Sequence, residues 1–212
     1  MSDDRPTPTT TGERCQFWNP SECEGSPHCP SRCPRFVDRE GVPWSVVPAD
    51  DSDIDALVGM YDDFDPGQRA QGLPPRNRGR IEKWLRDVFE EGCHFVARSP
   101  DRIVGHAFYA PTADPEPEFA VFVHQSVQNR GIGTELGRHV VATSGAADRE
   151  ALTLVVDRHN RAARAVYERL GFETVAELGG DRPGQTVSLR MRLPLSRSNT
   201  LAVQSPPAVL DR

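Results

Sequence analysis

One stretch constrains this chain more than any other. It runs Val121-Phe122-Val123-His124-Gln125-Ser126-Val127-Gln128-Asn129-Arg130-Gly131-Ile132-Gly133-Thr134. Residues 119–123 are continuously apolar, the pattern of a strand buried on both faces. Beyond the glycines, Ile132, Leu136, Val140 and Thr143 follow helical spacing. A buried strand that passes through a glycine turn into a helix belongs to a mixed α/β fold, a sheet with helices on its faces. The start of such a helix leaves backbone N–H groups unpaired and carries about half a positive charge. Glycines there let an anion approach the backbone. The same glycines would equally serve tight strand–helix packing. Two other phosphate-binding turns are excluded by spacing. A Rossmann turn needs a third glycine three residues after the second, where this chain has Leu136. A P-loop needs Gly-Lys before Ser or Thr, and Lys83 is the only lysine among 25 basic residues.

The flanking periodicities extend this layout. Residues 44–49 read as a short strand. Ile54, Leu57, Val58 and Tyr61 share one helix face, with Asp51 or Ser52 as its cap. Ile81, Trp84, Leu85, Val88 and Phe89 form a second helical stripe, ended by Gly92. Residues 94–98 and 103–110 read as a hairpin around Ser99-Pro100-Asp101-Arg102. Residues 152–156 form another buried strand, and 160–170 a helix with Ala163, Val166, Tyr167 and Leu170 on one face. Residues 172–178 read as a strand. Val187, Leu189, Met191 and Leu193 alternate with polar residues, so the last strand has one wet face. The predicted order is β-α-α-β-β-β-α-β-α-β-β. Residues 1–42 show no sustained period, and residues 195–212 read as a mobile tail.

Two motifs now bring a specific resemblance. Gln128-Asn129-Arg130-Gly131-Ile132-Gly133 is similar to the acyl-CoA pyrophosphate motif of the GCN5-related N-acetyltransferases. Asn160 through Gly171-Phe172, with Tyr167 inside, resembles that family's second motif. The resemblance spans residues 43–194 and leaves out the segment before and the tail after. It implies an α/β (α+β) fold with a central mixed, mostly antiparallel sheet flanked by helices. It also implies acetyl-CoA as cosubstrate and a primary amine of a small molecule or protein as acceptor. On this likeness the backbone of Val121, Phe122 and Val123 pairs with the pantetheine arm like an added strand. The N–H groups of Asn129, Arg130, Gly131, Ile132, Gly133 and Thr134 then receive the pyrophosphate. Asn160 matches the residue that contacts the CoA arm, and it also stands where a helix N-cap belongs.

Tyr167 resembles the family's general acid. A phenol with a pKa of about 10 can protonate a departing thiolate; a core tyrosine on the apolar stripe is the other reading. Glu118 opens Glu118-Phe119-Ala120-Val121, a form in which family members use the glutamate as base, directly or through water. Glu116 and His106 are alternates. If Glu118 faces the apolar interior, burial raises its pKa toward neutrality. Asp65-Pro66-Gly67-Gln68-Arg69 loosely resembles a stretch of members that acetylate protein lysines.

Composition bounds the remaining choices. The chain has 212 residues and a net charge of −6. No apolar run approaches the ~18 residues of a membrane-spanning helix. The N-terminus lacks the basic start and apolar core of a signal peptide. The expected location is therefore cytoplasmic, without a membrane partner. An acidic balance argues against nucleic acid, and residues 1–42 carry five Arg against seven acidic residues. Four cysteines, Cys15, Cys23, Cys29 and Cys33, fall in that segment. Four thiolates fill a tetrahedral zinc site, which would staple a segment too polar to fold alone. Disulfides or uncombined thiols are the alternatives. A non-catalytic acyl-CoA sensor carrying such a module is the competing functional expectation.

Overall fold

In a computed structural model, the described residues are 30–65, 74–179 and 186–204. They form eight strands and five helices. The strands are β1 (Arg35–Val37), β2 (Pro43–Pro48), β3 (Cys93–Arg98), β4 (Ile103–Ala110), β5 (Glu118–Val123), β6 (Ala151–Asp157), β7 (Glu173–Leu178) and β8 (Ser188–Pro194). The helices are α1 (Ile54–Asp62), α2 (Arg78–Glu91), α3 (Ile132–Ala146), α4 (Arg161–Leu170) and α5 (Arg197–Gln204). One sheet holds all strands in the order β1-β2-β3-β4-β5-β6-β8-β7. Every neighbouring pair is antiparallel except β5 and β6. The expected mixed, mostly antiparallel sheet with helices is therefore what forms. No helix among the described residues is long and apolar enough to cross a membrane.

Strand alternation splits the core in two. Val96 points to α1 and α2, where it packs with Ile54, Leu57, Tyr61, Ile81 and Leu85. Its neighbours Phe95 and Ala97 point the other way, to a cluster with Leu136, Val140, Leu152 and Phe172. Strand β4 is covered on both faces, so even His106 is fully buried.

Helix α3 is covered by the sheet, α4 and α5. Its hydrophobic stripe faces the core as its spacing implies, but Glu135, His139 and Ser144 are buried too.

Three features depart from the sequence reading. Asp50, rather than Asp51 or Ser52, caps the first helical turn, accepting from the Ser52 N–H at 2.9 Å. Residues 35–37 form β1, paired antiparallel with β2 through Phe36↔Trp44. Residues 197–204 form α5, where the reading saw a tail. The strand and the helix escape the sequence pattern for one reason: three residues and two turns are too short to show a period, and tertiary contacts hold them. Of the four clustered cysteines, Cys15, Cys23 and Cys29 lie outside the described residues, and Cys33 is half-buried.

Candidate active site

The site begins where the sheet divides. β4 and β5 pair along six positions, and β6 and β8 along seven. Between these two halves, β5 and β6 share a single register position, Glu118↔Thr153. Past it the strands part. The backbone of residues 121–123 on β5 then has no strand partner on its β6 side among the described residues, and Ala120 through Val123 are only half-buried. An unpaired strand edge of this kind accepts an extended, amide-bearing arm.

Helix α3 begins at the end of this opening. Gly131 caps it with φ +96°, a left-handed backbone that side chains rarely adopt. Asn129 is also left-handed, at φ 62°. These two residues bend the chain sharply enough to bring the helix start beside the strand it follows. Gly133 serves the approach itself: a Cβ there would meet Val123 Cγ2 at 3.3 Å and Val166 Cγ2 at 3.9 Å. The first turn of α3 therefore sits between β5 and α4. Ile132, Gly133 and Thr134 are the first helical residues, whose N–H groups have no carbonyl one turn back.

Arg130 is not held ready for a phosphate. Its Nε donates to Asp38 Oδ2 at 2.7 Å, its Nη1 lies 3.1 Å from Glu40 Oε2, and its guanidinium stands over the Trp44 ring. Asn160 caps α4, its Oδ1 accepting from the Ala163 N–H at 3.1 Å. That is the capping role its position implied.

The two candidate catalytic groups lie on opposite faces of β5. Phe119 points toward α4, with Tyr167 at 6.0 Å and Phe172 at 5.6 Å between ring centroids. Phe122 points toward α1 and α2, where it meets Tyr61 and Trp84. Glu118 shares the Phe122 side by alternation and is exposed. Tyr167 is 8% exposed. Burial pushes its phenol up to about 12, and the neighbouring Glu118 carboxylate adds to the rise. The phenol therefore keeps its proton throughout the physiological range. Glu118 does not face the apolar interior.

The alternates are committed elsewhere. Glu116 accepts a two-pronged bond from Arg192, at 2.9 and 2.8 Å, which lowers its pKa. His106 is sealed in a buried chain, with Tyr61 Oη 2.7 Å from its Nδ1 and His94 Nδ1 3.0 Å from its Nε2. Burial, reinforced by His94, holds its pKa well below the usual value. Glu118, by contrast, makes no ion pair among the described residues. None of these residues brings three or more His, Cys, Asp or Glu side chains together as a metal site.

The model of the acetyltransferase (GNAT) family matches residues 54–172, more than half of the chain. The chain belongs to the GNAT family. The fold agrees with solved structures of its members. The GNAT domain of S. lividans PAT is 19% identical, with a TM-score of 0.60 over 76% of this chain and 95% of that one. The Salmonella typhimurium protein yncA, solved with its cofactor acetyl-CoA, is 16% identical, with a TM-score of 0.60 over 73% and 95%. The ribosomal-protein-S18-alanine N-acetyltransferase of Escherichia coli is 22% identical, with a TM-score of 0.58 over 72% and 94%. A curated relative, the 5-NmdU N-acetyltransferase of Pseudomonas phage PaMx11, is 39% identical over 64 residues. That match covers 30% of this chain and 44% of the relative, less than half its length.

Sequence reasoning missed three residues around the GNAT site: Arg32, Asp38 and Glu135. A signal existed for Asp38. Asp38-Arg39-Glu40-Gly41 has Asp first and Gly fourth, the signature of a type I turn. The Gly41 N–H indeed donates to the Asp38 carbonyl at 3.0 Å. Glu135 carried no signal, since a charged residue in a helix reads as solvated.

Proposed function

We propose that this GNAT protein transfers an acetyl group from acetyl-CoA to a primary amine by direct attack. The observation that carries the reading is the single-position joint between β5 and β6, which opens an unpaired strand edge onto the start of α3. The pantetheine amides suit the edge at Val121, Phe122 and Val123. The pyrophosphate suits the N–H groups at Asn129 through Thr134, a helix start built for an anion. On the family likeness Asn160 contacts the CoA arm, a role compatible with its capping of α4.

The chemistry follows from the two faces of β5. Glu118, exposed and without an ion-pair partner among the described residues, takes a proton from the ammonium. The freed nitrogen attacks the thioester carbonyl, forming a tetrahedral intermediate. The C–S bond then breaks, and the Tyr167 hydroxyl on the other face protonates the sulfur. A phenol raised to about 12 is a reluctant donor. The thiolate expelled beside it enters the same poorly solvated surroundings, which raise its basicity as well. The nitrogen of the collapsing intermediate gives up its second proton, which restores the Tyr167 phenol, and Glu118 releases the first to solvent, so the products are an amide, free CoA and a proton.

The acceptor is a small-molecule amine or a protein amine. The test is thioester consumption with a panel of both, including the 5-NmdU of the phage relative's name. Turnover with at least one amine is the expected result. Tight CoA binding with no turnover across the panel would instead indicate an acyl-CoA sensor.

Zinc on Cys15, Cys23, Cys29 and Cys33 rests on the sequence alone. Metal analysis tests it: about one zinc per chain supports a structural site, and less than roughly 0.2 removes it.

A further inference from the structure

One buried carboxylate that grips the proposed phosphate turn comes from outside the stretch that matches the family. Asp38 precedes residue 54, where the family match begins. Its side chain is fully buried. Oδ1 accepts from the Glu40 N–H at 2.9 Å and the Val42 N–H at 3.0 Å. Oδ2 accepts from Trp44 Nε1 at 2.6 Å and Arg130 Nε at 2.7 Å. These donors hold its pKa below the usual carboxylate value against the effect of burial. The β1–β2 turn reaches the same loop through its backbone. The Arg39 N–H donates to the Arg130 carbonyl at 3.1 Å, and Arg39 Nη1 to the Asn129 carbonyl at 3.4 Å. Phe36 closes the other side, 3.4 Å from where a Cβ on Gly131 would stand.

Two consequences follow. First, Arg130 faces two carboxylates, Asp38 and Glu40, so its charge is offset before any phosphate arrives. The anion must be held by backbone N–H groups. Second, those groups are only as well aimed as the Asn129–Gly131 bend, whose two left-handed residues have no regular secondary structure to fix them. From the β1–β2 turn, Asp38, Arg39 and Glu40 all reach this bend, at Asn129 and Arg130.

We propose that Asp38 is a positioning residue of the acyl-CoA site. It clamps the Arg130 guanidinium and so fixes the bend that aims the N–H groups of Ile132, Gly133 and Thr134. This rests on the reading that acyl-CoA binds at the start of α3. Asp38 touches neither substrate nor reacting atoms.

The test compares wild type, Asp38→Asn and Arg130→Lys, each shown to be folded at the assay temperature. Coenzyme A affinity is measured by calorimetry, and KM and kcat with acetyl-CoA and a working amine. Asp38→Asn keeps the side chain's shape but replaces the acceptor for Arg130 by an amide. The expected result is a Kd and KM for the CoA compound about tenfold higher, the scale of one lost charge-assisted hydrogen bond, with kcat within about twofold. Arg130→Lys keeps the charge and loses the planar fork and its stacking on Trp44. Under the clamp it weakens CoA comparably, and it keeps the measurement decisive if Asp38→Asn does not fold. Coenzyme A affinity within about twofold of wild type in both variants overturns the proposal. So does a pattern in which kcat falls and KM holds, since that is what a merely structural loss of active protein produces. If wild type itself binds no coenzyme A, the functional reading fails, and this proposal with it.

Discussion

Replacing Tyr167 by Phe should leave stability nearly unchanged and lower activity. The ring is packed by Phe119 at 6.0 Å and Phe172 at 5.9 Å between centroids, and Phe preserves both contacts. No hydrogen bond to the Tyr167 hydroxyl exists among the described residues. Removing a hydroxyl that holds no protein partner there breaks no internal hydrogen bond, so folding stability should stay within about 1 kcal/mol of wild type. The hydroxyl is also the only proton donor proposed for the leaving sulfur. Its loss should lower kcat by about 10²-fold or more, roughly 3 kcal/mol of barrier, the usual scale for general acid catalysis. The CoA affinity should stay within about twofold. Urea unfolding gives the first quantity and saturating thioester assays the second. Because the phenol sits at about 12, wild-type kcat should show no decline from Tyr167 ionisation below roughly pH 11. A Tyr167→Phe enzyme with wild-type turnover would return Tyr167 to the role of a core aromatic and remove it from the mechanism.

Three further outcomes test other parts of the molecule. Glu118→Gln should lower kcat/KM by about 10²-fold near neutral pH, and the deficit should shrink as pH approaches the amine's own pKa of about 10, where the ammonium loses its proton unaided; a pH-independent deficit would deny the base role. Arg32 is buried and grips Glu135 at 2.6 and 3.0 Å while donating to the Val203 carbonyl at 2.8 Å, so Arg32→Met should cost about 3–5 kcal/mol in urea unfolding. Adding Glu135→Leu should recover much of that loss, and a single variant within 1 kcal/mol of wild type would contradict the account. Burial holds His94 and His139 down to about 4, below their unfolded value of about 6.5. The unfolded chain therefore binds more protons in that window. The stability they contribute is complete above pH 6.5 and is lost as pH falls toward 4, by about 2 kcal/mol for each histidine at pH 5. A urea midpoint equal at pH 7.5 and pH 5 would refute it.

Much of the architecture was legible because local chemistry and tertiary demand agreed. The α1 stripe of Ile54, Leu57, Val58 and Tyr61 is buried, and the alternation of Leu189, Met191 and Leu193 gives β8 its buried face. The hairpin around residues 99–102 forms as its turn residues require. Asn160 could be read as a cap because a cap is a local bond, to Ala163 three residues on. What escaped was made by distance. Arg32 meets Glu135 across 103 residues and Asp38 meets Arg130 across 92, and neither partner announces the other. Arg130 shows the consequence: the motif assigns its backbone N–H to the anion, and only folding brings two carboxylates, Asp38 and Glu40, onto its side chain.

By itself the sequence determined the order of elements, the glycine turn between β5 and α3, and the motif pair of the GNAT family. Periodicity, capping and turn chemistry act over a few residues, and they suffice for these. Only the tertiary structure decided that β5 and β6 join at one position and then part. Only it decided that Glu118 and Tyr167 stand on opposite faces of β5, one exposed and one buried, and that residues 36–40 close on the glycine turn. Strand pairing, burial and ion pairing between distant segments depend on where the chain returns, and no local pattern encodes that.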